Sequence, residues 1–367
     1  MKQSLIILLL FFTWFSSFAQ QKNEQKTRPK IGLVLSGGGA KGFAHIGAIK
    51  LLEEVGIKPD YITGTSMGSV VGALYAMGYT VDEMETISDT TDWDFVLSNT
   101  VKLSEITMVE KQYYGSFLTE LDITKKGVNL PGGLIEGQNL SELLSSLTHP
   151  VHGIHSFLDS PIPYTCVATD IVKGVPVSLN QGNISDAIRA SMAIPSIFTP
   201  VEYDSLLLID GGWTRNLPVQ EARDMGADII ISVDVGASLL KREQIKSMLS
   251  VLDQTSWILS TQDTEEQKKL TDYIISPPVS EFVSMDFSQS DTIMKLGYLE
   301  ASKQRVIFEE LAKKIYPNGK NEGLSKIRLK PSQYKIVNIE VNGNKKTSTK
   351  FVKGRLNLKK GKSYSSN

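Results

Sequence analysis

Cysteine and histidine are the scarcest side chains with chemistry to offer in this 367-residue chain: Cys166 stands alone, and the histidines are His45, His149, His152 and His155. One cysteine can form no internal disulfide, so stability must come from an ordinary hydrophobic core. Cys166 lies within the apolar run from Pro163 to Thr169 and reads as a small buried hydrophobe. Charge of either sign is also missing in excess. The formal net charge is −1, which points to no nucleic-acid partner and no anionic surface. Neither an internal repeat nor a low-complexity tract is present. The apolar run from Leu5 to Phe12 falls well short of the roughly 20 residues that a spanning helix needs.

That run fits a different element. Lys2 supplies a positive start, Ser17-Phe18-Ala19 a small-x-small cleavage signal, and Gln20 to Pro29 a polar continuation. This is the pattern of a secretory signal peptide over 1–19, followed by a polar linker over 20–29. Export is therefore expected, to the periplasm, the outer membrane or the medium. No cysteine follows the run closely, so a lipoprotein anchor is excluded. The remainder is long enough for a full core and for more than one domain.

Ile31 to Ser36 reads as a buried strand, and Ile46, Ile49, Leu52 and Val55 follow at helical spacing until Gly56 and Pro59. Tyr61 to Thr63 is a short strand and Ser69 to Met77 a helix of small residues. Further strands are predicted over 164–169, 206–210, 228–234 and 273–276, with helices over 140–147, 186–192, 218–225 and 244–259 between them. A long helix over 291–315 closes the unit. Strands alternating with helices predict an α/β fold with a mostly parallel sheet and helices on both faces. Thr90 to Leu134, with Trp93, Phe95, Tyr113, Tyr114 and Phe117, has no firm period and suits a loop-rich cap bordering a site. Those aromatics read equally as core. A polar linker over 316–333 leads to a tail over 334–367. There Val337, Ile339 and Val341 alternate as in a strand, Asn342-Gly343-Asn344 makes a turn, and Phe351 to Leu358 begins a helix.

Three segments carry chemistry. Gly37-Gly38-Gly39-Ala40-Lys41-Gly42 joins a strand to a helix. It matches a dinucleotide-binding fingerprint, yet free amides at a helix start serve an oxyanion equally well. A nucleotide site also wants an acidic residue at the end of the second strand; Asp60 has the spacing but precedes that strand. Gly64-Thr65-Ser66-Met67-Gly68 has the strand–turn–helix setting of a nucleophile elbow, against the plainer reading that Ser66 only caps a helix. Together the two turns favour Ser66 as a nucleophile. Asp210 ends the run Leu206 to Ile209 and precedes Gly211-Gly212; it is either a carboxylate brought close to a neighbouring turn or an Asx turn. No histidine follows position 155, which disfavours the serine–acid–histidine order of a hydrolase triad. His45 reads as packed or solvated, and the other three as a polar surface loop rather than a metal site.

The glycine cluster, the Gly64 to Gly68 elbow, the Asp210-Gly211-Gly212 element and the stretch from Ala190 to Pro195 with Phe198 and Pro200 resemble the blocks of the patatin-like phospholipases. The resemblance covers about 30–315. It implies a three-layer α/β/α patatin-like fold with a mostly parallel central sheet, and hydrolysis of lipid or phospholipid acyl esters without metal or cofactor. Carried over by position, Ser66 is the nucleophile and Asp210 the base, flanked by Gly211 and Gly212. Gly64, Thr65, Met67 and Gly68 form the elbow. The amides of Gly38 and Gly39, with Gly37, Ala40, Lys41 and Gly42 beside them, form the oxyanion hole. Lys41 either attracts a phosphate headgroup or is a solvated lysine on the rim. Contact with a membrane surface is implied as well. The tail resembles the first half of a POTRA domain, which implies an outer-membrane barrel if the chain is a fragment. Two rival readings remain: a nucleotide-binding α/β protein and a secreted non-catalytic scaffold.

Overall fold

The fold is a computed structural model that describes residues 28–101, 106, 122–124, 127–129, 132–236, 242–246, 248–317, 334–344, 347–356 and 358–364. The expected signal peptide over 1–19 lies outside them, as do Tyr113, Tyr114 and Phe117 of the expected cap.

An eight-stranded sheet forms the centre. Its strands are β1 (Ile31–Leu35), β2 (Tyr61–Thr65), β3 (Tyr164–Asp170), β4 (Val175–Leu179), β5 (Val201–Tyr203), β6 (Leu206–Asp210), β7 (Ile229–Val233) and β8 (Tyr273–Ile275). Strands β8, β7, β1, β2 and β3 run parallel in that order. A parallel sheet is covered on both faces, and β1 accordingly is buried at every position. Its alternate residues divide between two cores: Ile31, Leu33 and Leu35 join the large one, while Val34 joins a smaller one with Leu217, Val219, Ala222 and Ile230. That division is the sequence-level cause of three layers.

Helices α1 (Ala44–Glu54) and α2 (Met67–Ala76) pack into the large core, followed by α3 (Val81–Thr90), α4 (Gln138–Thr148) and α5 (Ile184–Ser191). Helix α3 begins at a reciprocal capping box between Thr80 and Glu83. The small core lies under α6 (Val219–Asp224), and α7 (Met248–Lys269) follows it. No helix among the described residues is long and apolar enough to cross a membrane.

One edge of β3 decides the geometry of the whole molecule. Residues 164–167 of β3 pair in parallel with β2, and residues 168–170 pair antiparallel with β6. The other edge is taken by β4, which spans 166–170 and overlaps both partners. Strands β2 and β6 therefore share a single edge and meet there end to end. We call this junction the seam.

Two expectations need correction. The closing helix over 291–315 is two helices, α8 (Ser290–Ser302) and α9 (Arg305–Ile315), because the amides of Lys303 and Gln304 turn back to the carbonyls of Glu300 and Ala301, three residues earlier, and end the first helix. The alternating run at Val337, Ile339 and Val341 is not a strand. Among the described residues only Tyr334–Lys335 and Ser363–Tyr364 pair there, and Val337 is exposed. Alternation gives a strand only where one face is buried, and no described residue of the tail is buried. A helix, Thr349–Arg355, follows near its expected place.

Removal of 334–367 should accordingly leave the melting temperature within about 1 °C of the full chain, since a lost kcal/mol shifts a domain of roughly 150–250 residues by about 2–4 °C and a larger one by less. Scanning calorimetry of a chain ending at Gln333 checks this; a fall of several degrees would tie the tail to the core.

Candidate active site

The seam brings together the two side chains that the sequence selects. Strand β2 ends at Thr65, and Ser66 sits in the turn before α2 with φ 52° and ψ −124°. A non-glycine residue in this region costs on the order of 1–3 kcal/mol and persists only where its surroundings over-determine it. The turn is tight enough that a Cβ on Gly68 would stand 2.3 Å from the carbonyl oxygen of Leu35, so only glycine fits there. Strand β6 reaches the seam from the opposite direction and delivers Asp210, level with Ala168 of β3. A Cβ on the next residue, Gly211, would stand 2.2 Å from the carbonyl of Val167 and 3.1 Å from the Thr65 methyl.

Both side chains are buried, Ser66 at 5% and Asp210 at 3% exposure. Burial raises the pKa of Asp210 to about 6, against a hydrogen bond from the Ser66 side chain and another from the Gly212 amide, which lower it. The Gly212 amide donates to the carboxylate at 2.7 Å, so the Asx turn is real and coexists with the contact to Ser66. No basic side chain among the described residues contributes to that pKa. The strand end is pinned elsewhere: the Thr169 hydroxyl donates to the Asp210 carbonyl at 3.0 Å, and Arg215 bridges Glu221 and Asp263.

The glycine loop closes a third side. A Cβ on Gly37 would stand 3.1 Å from that of Ser66, so the loop touches the turn directly. Gly39 has φ +58°, a conformation that disfavours side chains. The loop amides divide into two groups. Gly37 donates to the Asn216 carbonyl at 3.2 Å and Ala40 to that of Ser284 at 2.8 Å. Among the described residues no acceptor takes the amides of Gly38 and Gly39. Gly37 and Ala40 are thus already engaged, which narrows the six-residue expectation. Lys41 is a further correction: it is buried rather than solvated, and desolvation lowers its pKa.

A cavity of about 460 Å³ is lined by Gly37, Gly38, Gly39, Ser66 and Asp210, with Ile194, Asn216, Ser260 and Ser284. Its wall also holds Asp234, ion-paired with Lys268 at 3.0 Å. Asn216, Asp234 and Lys268 went unnoticed in the sequence. The signal for Asp234 was available, since a carboxylate at the C-terminal end of a parallel strand stands where α/β sheets carry their sites. Met67 lines a separate apolar pocket with Phe43, Leu140 and Met192.

The remaining candidates fall elsewhere. Asp60 accepts from Arg28 and from the Ile31 amide, at the N-terminal ends of β1 and β2, whereas the glycine loop follows the C-terminal end of β1. It cannot meet a nucleotide held there, in keeping with its place before the second strand rather than after it. His45 is fully buried, bonded through Nε2 to the Ser36 carbonyl at 2.8 Å, and its pKa falls to about 4. His149 stacks on His152, and none of the four histidines lines the cavity. No group of potential metal ligands occurs among the described residues. Trp93 packs on Phe43 and Phe287 as core. Cys166 is buried, with its pKa pushed up to about 12 by desolvation.

The patatin-like phospholipase family model matches residues 33–223. Lysophospholipase NTE1 of Meyerozyma guilliermondii is 27% identical over 299 residues, which cover 74% of this chain and 19% of that one. The NTE1 of Kluyveromyces lactis is 30% identical over 309 residues, covering 73% and 18%. An NTE family protein of Mycobacterium bovis is 32% identical over 210 residues, covering 57% and 50%. The chain thus spans about a fifth of the length of these fungal relatives. Among solved structures, VipD from Legionella pneumophila aligns with 77% of this chain and 67% of its own, at a TM-score of 0.42 and 17% identity.

A buried carboxylate with a raised pKa has a sign that stability can report. Between the unfolded value of about 3.9 and the folded value, the native state binds the proton more tightly, so the contribution of Asp210 to stability falls as pH rises through that window. Asp210→Asn removes the buried charge while keeping an acceptor for the Gly212 amide. The variant should be more stable than the parent above pH 6, by up to about 3 kcal/mol, with the difference vanishing near pH 4. Urea unfolding of both proteins from pH 4 to 8 measures the gap; a constant gap would contradict the raised pKa.

Proposed function

The chain belongs to the patatin-like phospholipase family, and from that premise we propose that it hydrolyses lipid acyl esters with Ser66 and Asp210 as a dyad. The contact between a strained, buried serine and a buried carboxylate, with no histidine lining the cavity, carries this reading. Water exclusion raises the basicity of the carboxylate, and a base near pKa 6 can accept a proton at neutral pH.

In the first step the Ser66 Oγ attacks the ester carbonyl carbon as its proton passes to Asp210. The oxyanion accepts hydrogen bonds from the Gly38 and Gly39 amides, each worth about 10²–10³ in rate. Collapse expels the alcohol, which takes the proton back from Asp210 and leaves Ser66 acylated. A water molecule, deprotonated by the same carboxylate, then attacks the acyl carbon. The second tetrahedral intermediate breaks to free fatty acid and serine. The relatives' printed name, lysophospholipase, supports a lipid with a single acyl ester as the first substrate to try. We read 30–315 as the hydrolase unit, 334–367 as an appended segment and 1–19 as an export signal.

Ser66→Ala should lower kcat by about 10⁴-fold or more on a lysophospholipid, and Asp210→Asn nearly as much, because the amide cannot take the proton. Changing His149, His152 or His155 to Gln should leave most activity. The acid limb of kcat/KM should have an apparent pKa of about 6, since the protonated carboxyl no longer serves as a base. A folded histidine variant as inactive as Ser66→Ala, or full activity at pH 4.5, would overturn the dyad. N-terminal sequencing of exported protein should begin at Gln20.

A further inference from the structure

The stretch from Ala190 to Pro195 is singled out by the sequence, yet none of its side chains enters the chemistry above. It crosses the seam. At the end of α5, the fully buried Ser191 accepts the Ser66 amide on its hydroxyl at 2.9 Å and donates to the Val167 carbonyl at 2.6 Å. Two residues on, the Ala193 carbonyl accepts the amide of Asp210 at 2.9 Å. One short segment therefore holds the peptide amides of both members of the pair.

The sheet explains why such a segment is needed. Ladder pairing of β2 with β3 ends at Thr65 and Val167, and pairing of β6 with β3 begins at Ala168. Ser66 turns out of the sheet at this break, which would leave its amide buried without a strand partner. The Ser191 hydroxyl takes the place of that missing ladder bond, receiving on one side and donating on the other. It also opposes relaxation of the positive φ at Ser66, because relaxation would rotate the amide away from its acceptor.

We infer that Ser191, with the backbone of Ala193, is the positioning element that sets the orientation of Ser66 against Asp210. The inference rests on the dyad reading. Ser191 touches neither substrate nor reacting atoms, so its effect falls on the attack step and not on substrate binding. A displacement of about 1 Å in the reacting atoms costs about 10²-fold in rate.

The test uses the full chain, a soluble p-nitrophenyl ester and a fluorophosphonate probe that labels the nucleophile. Ser191→Ala should lower kcat and the rate constant for labelling Ser66 together, by about 10–100-fold, with KM changed by less than about twofold. Ser191→Cys keeps the shape with weaker hydrogen bonds and should lie between parent and alanine; it decides the matter if the alanine variant does not fold. Thr63→Val is the matched control, because it removes a buried hydrogen bond of 2.8 Å to the Pro218 carbonyl on the same strand. It should lose stability and retain both rates. Parental rates in a folded Ser191 variant, or an equal loss of rate in Thr63→Val, would overturn the positioning role. A parent that the probe does not label at Ser66 would overturn the dyad reading and this one together.

Discussion

Two strands of opposite direction end against each other on one edge of β3, and the rest of the site follows from that constraint. A parallel strand presents its C-terminal end to the loops where α/β proteins place their chemistry. Here the continuation of that edge is filled from above by an antiparallel strand, whose own C-terminal end points back at the first. Ser66 and Asp210 are 144 positions apart in the chain, yet Asp210 is the last residue of β6 and Ser66 the first beyond β2. Small residues are obligatory at such a meeting. Gly68 lets α2 close against β1, and Gly211 lets the chain leave β6 without striking β3.

In the proposed dyad, burial takes the electrostatic role that a histidine has in a triad. Among the described residues the carboxylate has no cationic partner, so desolvation raises its pKa while the Ser66 hydroxyl and the Gly212 amide hold it back from a larger shift. The charged network nearby acts at one remove: Arg215 joins Glu221 and Asp263, and the Ser260 hydroxyl donates to the Gly212 carbonyl, tying the turn after Asp210 to α7. Neither interaction neutralises the carboxylate. The turn is held in place while the carboxylate stays basic.

The glycine loop shows the same economy in its amides. Its first residue is tied to Asn216 and its fourth to Ser284, which fixes the backbone at both ends, and the two amides between them have no acceptor among the described residues. Fixed donors facing a cavity need no reorganisation when charge develops there, which is the condition for strong stabilisation of an oxyanion. His45 supports this arrangement from below by its bond to the Ser36 carbonyl, one residue before the loop.

Much of this was legible in the amino-acid sequence because it is local. Buried strands, the two glycine-rich turns and the Asp-Gly-Gly stop are each written within a few consecutive residues, and β6 runs over the very residues, 206–210, that its apolar pattern marks. Pattern also misled where it had no tertiary support, as at Val337 to Val341, where alternation met no face to bury, and at Lys303 and Gln304, where a tight backbone turn divides a helix of unbroken periodicity. What the sequence determined, then, was which residues stand at strand ends and which turns are tight enough to carry chemistry. Only the tertiary structure decided that β2 and β6 share an edge, that Ser191 bridges the gap between strands, that Lys41 is buried, and that Asp234 and Lys268 wall the cavity. The physical reason is range: the Ser66 amide and its acceptor are 125 positions apart, and a hydrogen bond across that distance leaves no periodic trace in either segment.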